Sequence, residues 1–67
     1  MGSDVITEIF QDILQMELAA KGIYESLSGK APDRATKAIL SRIAKDEARH
    51  AENVRKVLSI LGTRQKP

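Results

Sequence analysis

Two long runs of helical periodicity, broken once, set the limits on what this chain can fold into. In the first run Ile6, Phe10, Ile13, Glu17, Ala20, Tyr24 and Leu27 recur at steps of 4, 3, 4, 3, 4 and 3, the spacing of one face of an α-helix. Ile9, Met16 and Ile23 widen that face on one flank. In the second run the stripe is Ile39, Ile43, Glu47, His50, Val54, Val57 and Leu61. Between them Ser28-Gly29-Lys30-Ala31-Pro32-Asp33 interrupts the pattern. Gly29 suits a left-handed residue after a helix end, and Pro32 suits the first position of the next helix, where its missing N–H costs nothing. Ser3 or Asp4 can cap the first helix and Gly62 can close the second.

The reading is all-α: one antiparallel two-helix hairpin over residues 4–62, with helices at about 4–28 and about 32–61 and flexible ends at 1–3 and 63–67. A short connection makes the helices neighbours, but 67 residues bury only about 60% of the unfolded surface. Chains this small need disulfides, a metal or a partner. There is no cysteine, so disulfides and cysteine-ligated metal sites are excluded. A single hairpin also leaves one flank of the first helix uncovered. Two copies cover it by forming a four-helix bundle, so a homodimer is expected. Gly22 stands inside the first helix, where it costs about 1 kcal/mol relative to alanine, and a close helix–helix approach would account for it.

Charge is segregated. Residues 1–28 carry five acidic residues and Lys21, a net −4, whereas residues 29–67 carry ten basic and four acidic residues, a net +6. Opposite halves suit two helices packed on each other. A nucleic-acid-binding or structural adaptor module without a metal site is the alternative, with Arg34, Lys37, Lys45, Arg49 and Lys56 facing phosphates. The absence of interleaved aromatic residues makes nucleic acid unlikely as a partner. No apolar run reaches the ~20 residues of a membrane span, and no signal peptide is visible, so a soluble cytoplasmic protein without a membrane partner is expected.

Polar residues interrupt both apolar stripes. Glu47 and His50 stand at i and i+3, on one face within one turn, so a carboxylate oxygen and an imidazole nitrogen can reach one metal ion. Glu17 lies about 13 residues before the turn centre and Glu47 about 16 after it, an offset of roughly 5 Å at ~1.5 Å per residue. Tyr24, seven residues after Glu17, keeps the same facing and leans back toward it. One chain offers two carboxylates and one histidine; a two-fold dimer offers four and two. That is the ligand set of a di-iron carboxylate site in a four-helix bundle, with two Fe ions per dimer or manganese in their place. Each feature has an ordinary counterpart: a lone core histidine, Glu17 paired with Lys21, Glu47 paired with a Lys or Arg, Tyr24 as an interface aromatic, and together a structural polar layer.

The segments ELAAKGIYESLSG (17–29) and ILSRIAKDEARHAENV (39–54) resemble the ferritin-like superfamily in its rubrerythrin and encapsulated-ferritin branch. The resemblance covers most of the chain, as half of a ferritin-like bundle. It implies metal ligation by Glu17, Glu47 and His50, with Tyr24 beside the ligands. It implies ferroxidase activity, in which O₂ or peroxide oxidises Fe²⁺ for storage or detoxification, in a dimer or ring of dimers inside an encapsulin shell. Three departures accompany it. Without cysteine there is no rubredoxin-like electron donor. Met16 and Leu18 flank Glu17, where encapsulated ferritins carry further acidic residues near the way into the site. The chain closes on TRQKP rather than on a third helical segment and a shell-targeting tail.

Overall fold

The computed structural model describes the backbone of residues 2–65 and the side chains of residues 5–62. It consists of two helices, α1 (Gly2–Gly29) and α2 (Arg34–Gln65), with no strand among the described residues. The expected all-α hairpin is therefore what forms. A connection of residues 30–33 and overall extents of 53 × 14 × 11 Å make the helices antiparallel neighbours along most of their length. No helix is long and apolar enough to cross a membrane.

The helix ends differ in detail from the pattern. No described residue has positive φ, so Gly29 does not end α1 in the left-handed conformation. The last carbonyls are taken up instead by a tightened turn, with Lys30 N–H donating to Leu27 O (3.0 Å) and Ala31 N–H to Ser28 O (3.3 Å), a 3₁₀-type closure. Pro32 does not open α2. Asp33 does so as its cap: Oδ1 accepts from Thr36 N–H at 2.7 Å, and its carbonyl accepts from Lys37 N–H at 3.1 Å. The Thr36 backbone N–H, then the Thr36 hydroxyl, hold the Asp33 carboxyl below its ordinary value. α1 begins at Gly2, ahead of Ser3 and Asp4, so neither precedes it as a cap. α2 continues through Gly62 to Gln65, because one glycine costs a helix only about 1 kcal/mol and no left-handed residue stops it. Met1, Lys66 and Pro67, expected as parts of flexible ends, lie outside the described residues.

Ser28 fastens the turn end. It is buried, its Oγ lies 2.7 Å from Ser41 Oγ, and it also reaches Lys37 O at 3.4 Å. A part-buried hydroxyl pair between helices forms only when both helices are in place, so it favours one register.

The contact face is rotated from the expected stripes. Among the described residues the buried apolar side chains are Ala44, Ala51 and Val54. Ile6, Leu27 and Ile39, assigned to the seam, are exposed, as are the flanking Ile9, Met16 and Ile23. Alanines at the contact let the backbones approach, and the bulky isoleucines are displaced to the sides. A buried valine contributes about 1.5–3 kcal/mol and an alanine methyl much less, while ordering each residue costs about 1–2 kcal/mol. The hairpin core is thus too small to account for the fold by itself. Gly22 does not mark a close approach between α1 and α2: a Cβ there would meet nothing within 4 Å.

Candidate metal centre

Helix geometry brings Glu17, Glu47 and His50 together at the crease between α1 and α2. Side chains on a helix lean toward its N-terminus. Glu17 therefore leans away from the turn and Glu47 toward it, which closes the offset that their distances from the turn imply. One ligand-type atom from each of the three residues lies within 4.8 Å of the other two. His50 Nδ1 sits 3.1 Å from Glu47 Oε1 and 3.2 Å from Glu17 Oε2.

These distances leave one group unsatisfied. Nδ1 carries at most one hydrogen, and hydrogen-bond geometry is met toward Glu47 Oε1. Glu17 Oε2 is buried and accepts no hydrogen bond. A buried carboxylate oxygen without a partner is costly, and native proteins rarely keep one without cause. The ordinary partners foreseen for the two glutamates are engaged elsewhere or not used. Lys21 Nζ pairs with Glu25 at 3.1 Å and leaves Glu17, and Glu47 meets His50 and no lysine or arginine among the described residues. Two carboxylates converging with an imidazole, one oxygen orphaned, suit a divalent cation in charge and donor type.

The site is graded from inside to outside. The Glu47 and Glu17 side chains are 19% and 24% exposed, and His50 is 50% exposed. His50 was expected inside the seam; it lies instead on the flank that also carries Ile39. On α1 the exposed Ile9, Met16 and Ile23 lie around the helix from the crease in the sense that faces the same side of the hairpin, because antiparallel helices turn in opposite senses seen from one end. The three ligand-type residues therefore stand at the inner edge of an apolar, uncovered flank. Tyr24 is half-buried on α1 and makes no hydrogen bond to Glu17, Glu47 or His50. Asp46, not singled out from the sequence, pairs with Arg49 at 3.3 Å one turn before His50; its i, i+4 spacing to His50 was the available signal.

A family model described as Rubrerythrin matches residues 8–66. The chain belongs to the rubrerythrin family. Rubrerythrins are ferritin-like iron proteins whose domains often oligomerise, and in this member of the family Glu17, Glu47 and His50 form a candidate metal-binding group. No curated protein and no solved structure gives a significant match to the chain.

Proposed function

We propose that this rubrerythrin-family chain is a di-iron carboxylate protein that oxidises Fe²⁺ at a site completed between two copies of the hairpin. The observation that carries the reading is the buried Glu17 Oε2, which accepts no hydrogen bond although it lies 3.2 Å from His50 Nδ1 and close to Glu47. A structural polar layer would satisfy its own hydrogen bonds; this one leaves a carboxylate oxygen without one. One hairpin supplies two carboxylates and one imidazole, too few donors for two ions, and the exposed apolar flank around the trio supplies the reason for a second copy to dock there.

Iron supplies the electrons that O₂ or peroxide takes up. The chain does the rest. Glu17 and Glu47 would offset the charge of the metal from opposite helices, and His50 would offer Nδ1, the ring nitrogen that lies against both carboxylates. The apolar flank, once covered by the partner, excludes water and holds the two half-sites at a fixed spacing. Tyr24, which makes no such bond in the single hairpin, would take a place beside the ligands in the loaded dimer as a hydrogen-bond donor to a carboxylate. In the encapsulated-ferritin form of the reading, such dimers assemble further into a ring inside an encapsulin shell.

The test is metal content and native mass on the same preparation from iron-supplemented cells. Two iron atoms per dimer are expected. In His50→Ala both metal and iron-dependent O₂ consumption should be lost while helicity remains. A metal-free chain that takes up no Fe²⁺ on titration overturns the reading.

A further inference from the structure

Glu47, His50 and Asp46 form a row that climbs out of the crease. On a helix of 3.6 residues per turn, His50 is turned about 60° from Glu47 and Asp46 about 40° further in the same sense, away from α1. The inner carboxylates are largely covered, His50 is half exposed, and the Asp46 side chain is 43% exposed at the outer edge. On the α1 side no such row exists, because Met16 and Leu18 flank Glu17 and Met16 is exposed. A second hairpin docking on the apolar flank would cover the row from its inner end, leaving Asp46 at the rim.

Asp46 is not idle. Its Oδ1 lies 3.3 Å from an Arg49 guanidinium nitrogen, and Arg49 is itself exposed. An exposed i, i+3 ion pair contributes little stability, so it is easily exchanged for another cation. We propose that Asp46 is the first carboxylate to meet a divalent cation on its way to the Glu17, Glu47 and His50 group, and that Arg49 competes for it and so sets the rate of loading. The inference rests on the metal reading of that group. Asp46 acts as a positioning residue: it raises the local cation concentration one turn from His50 and is not a ligand of the final site. Such steering changes association rates far more than final affinity.

The experiment uses Co²⁺, whose visible absorption reports binding to nitrogen and oxygen donors, mixed rapidly with the full chain, alongside equilibrium titration. In Asp46→Asn the association rate at low salt should fall about threefold or more with the stoichiometry unchanged, as expected for loss of one steering charge. In Arg49→Gln it should rise. Asp46→Glu should restore the wild-type rate. Both differences should shrink toward 1 M salt, where the Debye length is about 3 Å; a merely structural role for the pair would not follow salt in this way. Equal association rates in Asp46→Asn and wild type, with uptake intact, would overturn this inference alone. No Co²⁺ uptake by the unaltered chain would overturn the metal reading and this inference together.

Discussion

The two long sides of the hairpin are built from the same pair of helices and end in opposite conditions. On one side Lys21, Glu25, Ser28, Ser41 and Lys45 line a shallow cleft floored by Ala44 and Ala48. That side is complete: Lys21 pairs with Glu25, and the Ser28 and Ser41 hydroxyls pair with each other. The other side carries Glu17, Glu47 and His50 amid exposed isoleucines, with a buried carboxylate oxygen that accepts no hydrogen bond. One side of the molecule thus satisfies itself with local contacts. The other side does not, and the proposed cation at the crease and cover for the flank would complete it.

The largest effect should come from placing a charge on the unfinished side. Ile39→Glu puts a carboxylate on the apolar flank proposed to dock, about two turns nearer the interhelical connection than Asp46. An unpaired charge buried there costs about 3–5 kcal/mol, a loss of more than a hundredfold in dimer affinity. Native mass spectrometry should register a monomer, with metal uptake lost alongside. Lys45→Glu, a charge reversal on the finished side, should leave the mass unchanged. Equal masses in both variants and wild type would erase the distinction between the sides as far as assembly is concerned.

Next comes the crease itself. Glu17→Gln keeps the shape of the side chain and removes its charge. In chelator, without metal, the substitution should stabilise the chain modestly, because a neutral amide is buried at less cost than a carboxylate, read as a higher urea midpoint. In the presence of Fe²⁺ the same variant should lose uptake. A lower urea midpoint in chelator would mean that Glu17 already has a partner in the metal-free protein.

These effects bear on what the sequence could reveal. Ionisable residues set into an apolar stripe are conspicuous, so Glu17, Glu47 and His50 stood out, and the hairpin geometry does bring them together. The two helices and the break between them were equally legible, because 4-3 spacing over two such long runs admits little else. Which residues fill the contact was not. A stripe that holds both isoleucine and alanine is wider than one helix–helix contact. Periodicity has no means of saying that Ala44 and Ala51 go inside while Ile39 stays out. His50 was displaced to the flank for the same reason. The turn differs locally from its pattern: Gly29 and Pro32 fit standard roles by type, yet the Asp33 side-chain bond to Thr36 fixes the boundary, and such a bond depends on a rotamer the sequence does not specify.

Gly22 offers a smaller and sharper test. With nothing within 4 Å of a Cβ there, Gly22→Ala should stabilise the hairpin by about 1 kcal/mol through helix propensity, measured by thermal unfolding of the metal-free chain. If the substitution instead lowers the assembled mass, a partner packs against this exposed stretch of α1 and the finished side is less finished than its own contacts make it.

The smallest effect belongs to the turn, and it separates that end of the molecule from the crease. Asp33 caps α2 as a carboxylate, and the Thr36 N–H and hydroxyl hold its pKa below the ordinary 3.8. In the folded chain it therefore stays ionised at pH values where the unfolded chain has begun to bind a proton. The sign follows: the stability it contributes is complete above 3.8 and is lost as pH falls through the lower folded value. Asparagine caps without titrating, so Asp33→Asn should have a slightly lower Tm than wild type at pH 7, and the gap should narrow as pH is lowered below 3.8. Comparing the two proteins at each pH cancels whatever the two share and isolates the cap. Metal uptake at neutral pH should be the same in both, because the cap satisfies only the first N–H groups of α2 and touches none of the three residues at the crease. A loss of uptake in Asp33→Asn would show that the start of α2 sets the register of Glu47 and His50 against Glu17, so that the finished and unfinished parts of the hairpin are coupled through the helix that joins them.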